Sequence, residues 1–355
     1  MAKIILENIT HIYAKGQPPA LEDVNMVIED KSRNALLGPS GCGKTTLLKI
    51  ICGLLKPTKG RIYFDDEDVT DLPPEKRNIA IIFQFPVVYN MSVYDNLMFP
   101  LRNLKIPVEE KKKKVLEVAE SLGLSNLLRA QANRLGPADR QRVALGRVLV
   151  RSPKAFLFDE PLSSIEPEKK VILKTEIKRI QEKLNQTTIY VTHDQTEALT
   201  FADKIAVMDK GRVLQYDTVE NIYARPKNVF VGFFIGFPGM NTLDGQIKDD
   251  MIDLQDFSIK LPKNWVPPKD MTNVKVGIRP EHIQVSIEPK QDWYCFRVFA
   301  CSQTVKGFNI LHLTTDHQTI KVRSNLFVEE GSKVWVNFPP EYIHLFDEKG
   351  ERISM

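Results

Sequence analysis

Apolar and polar positions alternate along residues 1–236 in a way that predicts strands and helices in turn. Short apolar runs, each bounded by polar or turn residues, predict strands at Ile4–Leu6, Arg33–Leu37, Ala80–Phe83, Ala155–Phe158 and Thr188–Val191. Helical patterns lie between them, as at Lys44–Leu54 and Lys169–Leu184. Several of the apolar runs are continuous, as expected for strands that are buried on both faces of a parallel sheet. The alternation therefore predicts an α/β domain with a mainly parallel sheet.

Two later stretches depart from this alternation. Residues 87–152 carry helical patterns at Glu109–Leu122 and Asp139–Val150 with little strand between them, which predicts a helical insertion. From residue 240 to 355, short β-patterned runs follow one another, separated by turn residues. These runs lie at Val274–Ile278, Phe296–Cys301, Asn309–Thr314, Thr319–Val322 and Lys333–Phe338. A small β-barrel or sandwich at 240–355 is therefore expected after an α/β domain at 1–236.

Composition narrows the class of protein. The chain has 355 residues, of which 43% are hydrophobic and 26% are charged, as in a folded protein of about two domains. A formal net charge of +4 is too small to indicate a nucleic-acid partner. The 4 cysteines show no metal-ligand spacing and are expected to be reduced thiols. No apolar run approaches the roughly 20 residues of a membrane helix, so a role at a membrane would need a partner.

The segment GPSGCGKT at residues 38–45 carries the clearest chemistry. It fits the pattern G-x-x-x-x-G-K-[ST], follows an apolar run and opens a helical pattern, which is the context of a P-loop. Glycines let the backbone curl so that N–H groups point at phosphates, and the following helix adds its positive end. Lys44 is expected to reach the β- and γ-phosphates, and the Thr45 hydroxyl to bind Mg²⁺. The predicted nucleotide-binding residues of this segment are Gly38, Pro39, Ser40, Gly41, Cys42, Gly43, Lys44, Thr45 and Thr46.

A second motif, FLFDEP at residues 156–161, is an apolar strand that ends in two carboxylates. Asp159 is placed to hold the Mg²⁺ shell, and Glu160 to orient and deprotonate an attacking water. An apolar run that ends in Asp-Glu is by itself an ordinary strand end. After a P-loop, it predicts the acidic strand of a P-loop nucleotide hydrolase.

These motifs together resemble the ATPase subunit of an ABC transporter, of the sugar-importer type that energises maltose or glycerol-3-phosphate uptake. By that resemblance, Gln84 joins the metal shell with Thr45 and Asp159, His193 contacts the γ-phosphate and acts with Glu160 in catalysis, and Tyr13 stacks on adenine. The resemblance implies ATP and Mg²⁺ as cofactors. A soluble ABC ATPase of DNA repair or translation is an alternative class, but the coiled-coil insertion or duplicated domain of that class is missing.

The tail and the partners follow from the same resemblance. Gly277–His282 and Pro340–Asp347 are similar to the β-rich regulatory domain of these importers, which implies an OB-like fold. The expected partners are a second ATPase subunit, two transmembrane permease subunits and, indirectly, an extracytoplasmic solute-binding protein, with no nucleic acid. The expected location is the cytoplasmic face of the cell membrane, reached through the permease subunits. The transported substrate is not encoded in this chain.

Two motifs depart from the family pattern. The family signature is Leu-Ser-Gly-Gly-Gln, and this chain carries Leu135, Gly136, Pro137, Ala138 and Asp139 in its place. Gly136 lacks the signature hydroxyl, Pro137 lacks an N–H donor, and Asp139 places a negative charge near a polyanion. The family's D-loop, Ser-x-Leu-Asp, is replaced by Ser163, Ser164, Ile165 and Glu166.

In the family, both altered motifs act mainly on the ATP of the opposite subunit. The residues that act on this chain's own ATP are complete, whereas those that serve a partner's ATP are altered. This split favours pairing with a second, different ATPase subunit, which would give one active and one degenerate site. A homodimeric importer ATPase and a regulatory subunit that binds ATP with little hydrolysis remain as alternatives.

Overall fold

The structure is a computed structural model, and it describes residues 3–82, 87–151, 153–161, 175, 178, 186–262, 265, 267, 271–304 and 307–353. The chain forms two compact units, Met1–Val219 and Glu220–Met355. The boundary between the two units thus falls near residue 220. The domain limits expected from the sequence, 1–236 and 240–355, stay a prediction.

The strands of the first unit form two sheets within the described residues. They are β1 Ile4–His11, β2 Leu21–Ile28, β3 Arg33–Leu37, β4 Lys59–Phe64, β5 Glu67–Asp68, β6 Ile79–Ile82, β7 Ala155–Asp159, β8 Thr187–Thr192, β9 Lys204–Asp209 and β10 Arg212–Thr218. The first sheet has the order β2-β1-β4-β5, and the second has the order β10-β9-β3-β8-β7-β6. In the second sheet, every pairing from β9 to β6 is parallel, and β10 joins it antiparallel. The mainly parallel sheet expected from the sequence is confirmed.

The antiparallel sheet was largely missed by the sequence pattern. The apolar run Ile4–Leu6 marks only the first residues of β1, which continues to His11. The pairing of β1 with β2 shifts register between Leu6 and Ile9 and again before His11, so the strict alternation of a half-buried strand is broken there. The partner strands β2 and β4 were not predicted, although Val24–Ile28 of β2 alternates between buried and exposed positions.

The helices of the first unit are α1 Lys44–Ile51, α2 Pro74–Arg77, α3 Val93–Met98, α4 Val108–Ser121, α5 Pro137–Leu149 and α6 Gln195–Phe201. Short 3-10 turns at Phe99–Leu101, Ser125–Leu127 and Ala132–Arg134 complete the helical stretch between β6 and β7. The prediction of a helix at Lys169–Leu184 lies outside the residues that can be described as an element.

Two helix boundaries differ from the sequence prediction for physical reasons. The first helix ends at Ile51 rather than Leu54, because Gly53 takes a left-handed backbone with a φ of +82°. The Gly53 N–H then donates to the carbonyl oxygen of Ile50 at 3.1 Å, and the Leu54 N–H to that of Lys49 at 2.9 Å. These bonds satisfy carbonyls at the helix end. Helix α5 begins at Pro137 rather than Asp139, since a proline at the first helical position loses no helical hydrogen bond.

The parallel sheet lies between two hydrophobic cores. Leu157 of β7 packs with α1 and the antiparallel sheet, whereas its neighbours Phe156 and Phe158 pack with the helical stretch on the other face. Successive strand residues point to opposite faces, so a fully apolar strand such as β7 serves both cores. The carboxyl ends of β3, β7 and β8 thereby become the rigid edge from which the candidate site is built.

The second unit is mostly β-structure. Helices α7 Val219–Ala224 and α8 Val229–Phe234 lead into strands β11 Asn241–Lys248, β12 Met251–Asp253, β13 Ser258–Lys260, β14 Asn273–Ile278, β15 Gln284–Ser286, β16 Tyr294–Gln303, β17 Asn309–Thr314, β18 Thr319–Ser324, β19 Lys333–Asn337 and β20 His344–Phe346. Antiparallel sheets of order β13-β12-β11-β14-β20 and β15-β19-β16-β17-β18 enclose one apolar core. The expected small β domain is confirmed.

Candidate functional site

The P-loop is the turn that joins β3 to α1. A Cβ on Gly38 would lie 2.2 Å from the carbonyl oxygen of Met208, so the backbone approaches β9 too closely for any side chain. Gly43 has a φ of +104°, and a Cβ there would lie 2.6 Å from the carbonyl oxygen of Ala20. Gly41 also has a positive φ, +80°, but open space around it. Close packing thus requires glycine at position 38, and both close packing and a left-handed backbone require it at position 43. At position 41 only the left-handed backbone favours glycine.

Lys44 closes the loop from within. It is 6% exposed, and its Nζ donates to the carbonyl oxygens of Gly38 at 2.8 Å and Pro39 at 2.9 Å. Among the described residues no carboxylate forms an ion pair with it. The ammonium charge is therefore held inside the loop by two carbonyl oxygens, where it would stabilise an anionic phosphate.

Thr45 and Asp159 meet beside the P-loop. The Thr45 hydroxyl donates to Oδ1 of Asp159 over 3.0 Å, and Asp159 is buried at the end of β7. Burial raises the pKa of the Asp159 carboxyl, while the Thr45 hydrogen bond opposes that change. A hydroxyl and a carboxylate oxygen side by side are the hard oxygen donors that Mg²⁺ prefers, so the pair fits that ion. The third predicted metal residue, Gln84, lies outside the described residues.

Glu160 and His193 lie together at the ends of β7 and β8. Oε2 of Glu160 is 3.2 Å from Nδ1 of His193. The Glu160 backbone has a φ of +47° and its N–H donates to the carbonyl oxygen of Val191 over 3.0 Å. Left-handed backbone is costly for a glutamate and persists where the surroundings impose it. The backbone thus turns this carboxylate out of the strand and toward the histidine.

The turn that carries His193 is braced by residues that the sequence analysis overlooked. Asp194 caps α6, because its Oδ1 accepts from the N–H groups of Thr196 at 2.8 Å and Glu197 at 3.2 Å. The Thr192 hydroxyl accepts from the Asp194 N–H and donates to the buried Glu197 at 2.7 Å. The sequence does contain a pattern that predicts this helix start, namely Asp194 three residues before Glu197.

Tyr13 lies on the loop after β1, and the residue is 57% exposed. Its hydroxyl is 3.0 Å from the Thr46 hydroxyl on α1, so this aromatic ring is attached to the P-loop helix. The His11 ring packs against it, with centroids 4.8 Å apart and an interplanar angle of 89°. An exposed aromatic face beside the phosphate loop is suited to stacking on a base.

The altered signature forms the start of α5. Gly136 is the N-cap residue and offers no side-chain cap, and Pro137 occupies the first helical position. The Asp139 carboxylate is ion-paired with Arg142 one turn along the helix. The positive end of this helix is thereby partly neutralised by its own acidic residue. A Cβ at Gly136 would meet nothing within 4 Å, so a serine would fit there without rearrangement.

Gln141 was not singled out by the sequence analysis. It is buried in α5, and its Nε2 donates to the carbonyl oxygen of Pro161 over 2.8 Å, immediately after Glu160. The signature helix is thus bonded to the end of the acidic strand. The D-loop residues Ser163, Ser164, Ile165 and Glu166 lie outside the described residues.

A P-loop on a parallel sheet, with an acidic strand end and a histidine at the same edge, defines a P-loop nucleotide hydrolase. Two family matches refine this class: residues 21–163 match the ABC transporter family, and residues 236–283 match the MalK OB fold domain.

Full-length relatives agree. The trehalose/maltose import ATP-binding protein MalK of Thermococcus litoralis is 39% identical over 98% of both chains. The sn-glycerol-3-phosphate import ATP-binding protein UgpC of Psychromonas ingrahamii is 38% identical over 98% of this chain and 94% of its own length. The ATP-binding cassette MJ0796, solved as a dimer with ADP and Pi, covers 61% of this chain and 98% of its own at 28% identity and a TM-score of 0.54.

The chain belongs to the family of ATP-binding subunits of ABC importers that carry a MalK OB fold domain. It is an ABC-type ATPase, in which hydrolysis of bound ATP is coupled to transport. The resemblance stated from the sequence is thereby confirmed. Within the described residues, no helix has both the length and the apolar character needed to cross a bilayer.

Proposed function

We propose that this chain energises uptake of a sugar, polyol or glycerol-phosphate-like solute. The substrates named for its full-length relatives, trehalose/maltose and sn-glycerol-3-phosphate, support this class. The chain would bind at the cytoplasmic face of the membrane through two transmembrane permease subunits, which receive the solute from an extracytoplasmic binding protein. The ATPase supplies energy, and the other subunits select the solute.

The observation that carries the proposal is the pairing of Glu160 with His193 next to the pairing of Thr45 with Asp159. In the proposed roles, Lys44 and the loop N–H groups hold the β- and γ-phosphates, and Tyr13 stacks on adenine. Thr45 and Asp159 hold Mg²⁺ with Gln84, and the ion, when bound, supplies positive charge to the phosphates. The raised pKa of Asp159 fits a carboxylate that awaits a cation, since a nearby positive charge would favour its ionised form.

Glu160 is the proposed general base. Its carboxylate would orient a water in line with the γ-phosphate and take a proton from it. His193 would contact the γ-phosphate and, at 3.2 Å, hold the Glu160 carboxylate in place. These groups all belong to this chain. The ATP bound to its P-loop would therefore have the complete set of catalytic residues that one subunit contributes.

The other side of a cassette site comes from the signature of the facing subunit. The signature of this chain has no serine hydroxyl and lacks one backbone donor at Pro137. It also carries the Asp139 carboxylate, which is paired with Arg142. In a homodimer, this altered signature would face each bound ATP. Loss of donors and added negative charge both weaken a phosphate clamp, by about 1 kcal/mol or more each. We therefore infer a second, non-identical ATPase subunit with an intact signature, which gives one active and one degenerate site.

A homodimer of this chain is the second candidate. The full-length similarity to the import ATP-binding proteins MalK and UgpC favours it. Trapping ATP in the closed state distinguishes the two. Glu160→Gln blocks hydrolysis, and the amount of ATP that the purified chain retains through gel filtration with Mg²⁺ reports how well the signature clamps it. We expect little retention by this variant alone.

The control adds four substitutions that restore the signature: Gly136→Ser, Pro137→Gly, Ala138→Gly and Asp139→Gln. We expect this restored-signature chain, in the Glu160→Gln background, to retain close to one ATP per chain. Equal retention by both variants would show that the altered signature clamps ATP and that a homodimer suffices.

A further inference from the structure

A buried histidine lies behind the exposed ring of Tyr13. His11 ends β1 and is 8% exposed, and neither ring nitrogen has a hydrogen-bond partner among the residues that the structure describes. Leaving a buried polar group without a partner costs free energy that an apolar side chain at the same place would avoid. The only ring contact that the described residues give to this imidazole is the edge-to-face contact with Tyr13. The placement of His11 therefore needs an explanation beyond packing.

The surroundings fix the Tyr13 loop at both ends. The His11 carbonyl oxygen accepts from the Ala20 N–H at 2.8 Å, and the Ile12 N–H donates to the Thr58 hydroxyl at 3.0 Å. In the described part of the chain, the Tyr13 ring has one ring contact, with His11, and its hydroxyl has one hydrogen-bond partner, the Thr46 hydroxyl. The hydroxyl bond holds the tip of the ring, but it leaves rotation about the ring axis open. The perpendicular contact with the His11 ring restricts that rotation.

An imidazole is well suited to that contact. The edge of an aromatic ring is positive and its face is negative, so perpendicular rings at a centroid distance of 4.5–7 Å attract one another. A polarised N–H or C–H edge adds a weak hydrogen bond to the π face. The 4.8 Å separation and 89° angle match this arrangement. Tyr13 as a residue stays 57% exposed beside this contact.

We propose that His11 is a positioning residue for nucleotide recognition: it orients Tyr13 for stacking and so makes the site prefer a triphosphate that carries a base. This rests on the proposed role of Tyr13 in the ATP site. His11 does not contact the phosphates in this scheme. Its effect should therefore depend on the presence of the base.

The test compares two probes on the full-length chain with Mg²⁺: ATP, and inorganic tripolyphosphate, which lacks the base. Dissociation constants are measured for the wild type, His11→Leu and His11→Phe, and thermal unfolding checks that each variant is folded. We expect His11→Leu to weaken ATP binding about three- to tenfold, the size of an aromatic pair interaction, and to leave tripolyphosphate binding unchanged. His11→Phe keeps an aromatic edge, and we expect it to bind ATP within about twofold of the wild type.

Three results would overturn the proposal. Equal weakening of both probes by His11→Leu would mean that His11 supports the P-loop rather than the base. An unchanged ATP affinity in that variant would mean that the ring contact does not matter, and failure of His11→Phe to restore binding would rule out the aromatic edge. A wild type that binds ATP no better than tripolyphosphate would instead refute the proposed role of Tyr13 itself.

Discussion

Oε2 of Glu160 lies 3.2 Å from Nδ1 of His193, although the two residues belong to different strand ends. Strands β7 and β8 are adjacent and parallel, with Asp159 paired to Val191, so their carboxyl ends meet at one edge of the sheet. Parallel sheets place functional groups at this edge. The sheet register thus brings the proposed base and the proposed phosphate sensor together.

Glu160→Gln should abolish hydrolysis and spare binding. In the restored-signature chain, we expect turnover to fall by about 10²–10⁴, the usual contribution of a general base. ATP affinity should stay within a few-fold, because Lys44 and the loop are untouched. Steady-state phosphate release and equilibrium titration measure the two effects separately. A variant that hydrolyses at the parent rate would remove Glu160 from the role of base.

Asp159→Asn should stabilise the fold while it removes metal dependence. Burial raises the pKa of Asp159, so the folded state favours the protonated form, and any stability from this group is lost as the pH rises through the folded pKa. At neutral pH a neutral amide therefore removes a cost. The melting temperature of Asp159→Asn, measured without metal, should therefore lie above that of the wild type.

The same variant should lose the effect of Mg²⁺ on ATP affinity, since one of the proposed ligands is gone. Asp68→Asn is the matched control: hydrogen bonds from Thr70 lower the pKa of this exposed carboxyl, so its replacement should bring no gain. A drop in melting temperature for Asp159→Asn, measured without metal, would contradict the assignment of a costly buried charge.

Two P-loop glycines should respond differently to alanine. Gly41→Ala meets open space and incurs only the strain of its positive φ, about 1–2 kcal/mol. Gly43→Ala adds a clash, because its Cβ would lie 2.6 Å from the Ala20 carbonyl oxygen. We expect Gly43→Ala to weaken ATP binding more than tenfold and to destabilise the domain beyond Gly41→Ala, measured by titration and urea unfolding. Equal effects would mean that the loop adjusts to the added methyl group.

The β-rich unit should lose stability in mild acid through His344. Burial, followed by the nearby positive charges of Arg352 and Arg279, lowers the pKa of His344 to about 4. A lowered folded pKa gives stability that is present above pH 6.5 and is lost as the pH falls toward 4. His344→Gln should therefore show a smaller fall in melting temperature between pH 7 and pH 4.5 than the wild type.

His317 provides the control for that experiment. Its exposed ring has a raised pKa because of the hydrogen bond with Asp256, so its contribution is present below pH 6.5 and is lost as the pH rises. His317→Gln should not reduce the acid-induced loss. If His344→Gln and the wild type lose stability equally in acid, buried His344 is not the source of the pH dependence.

The sequence predicted the parts of the site that are written in local patterns. An apolar run, the glycines and a helical pattern fixed the context of Lys44 and Thr45, and FLFDEP located Asp159 and Glu160. The contacts between these groups depend on sheet order, and the hydrogen bond between Thr45 and Asp159 joins elements 114 residues apart. Only the family resemblance indicated that His193 belongs with them.

Other features were outside the reach of pattern reading. The contact between His11 and Tyr13 depends on how the loop after β1 folds back, and the bond from Gln141 to Pro161 depends on where α5 packs. Neither pair has a distinctive spacing in the sequence. In β1 of the antiparallel sheet, register shifts between Leu6 and His11 hide the two-residue period.

The most direct measurement of the central claim is ATP turnover of the purified chain against the restored-signature chain, with Mg²⁺ and without partner subunits. In the proposed scheme, this chain's own catalytic groups are complete, and the altered signature is the main cause of slow turnover in the purified chain. We expect the wild-type chain to hydrolyse ATP at least tenfold more slowly than the restored chain, since about 1 kcal/mol or more is missing for each lost contact. Equal turnover of the two, with a cooperative dependence on ATP, would contradict it and leave the homodimer as the working unit.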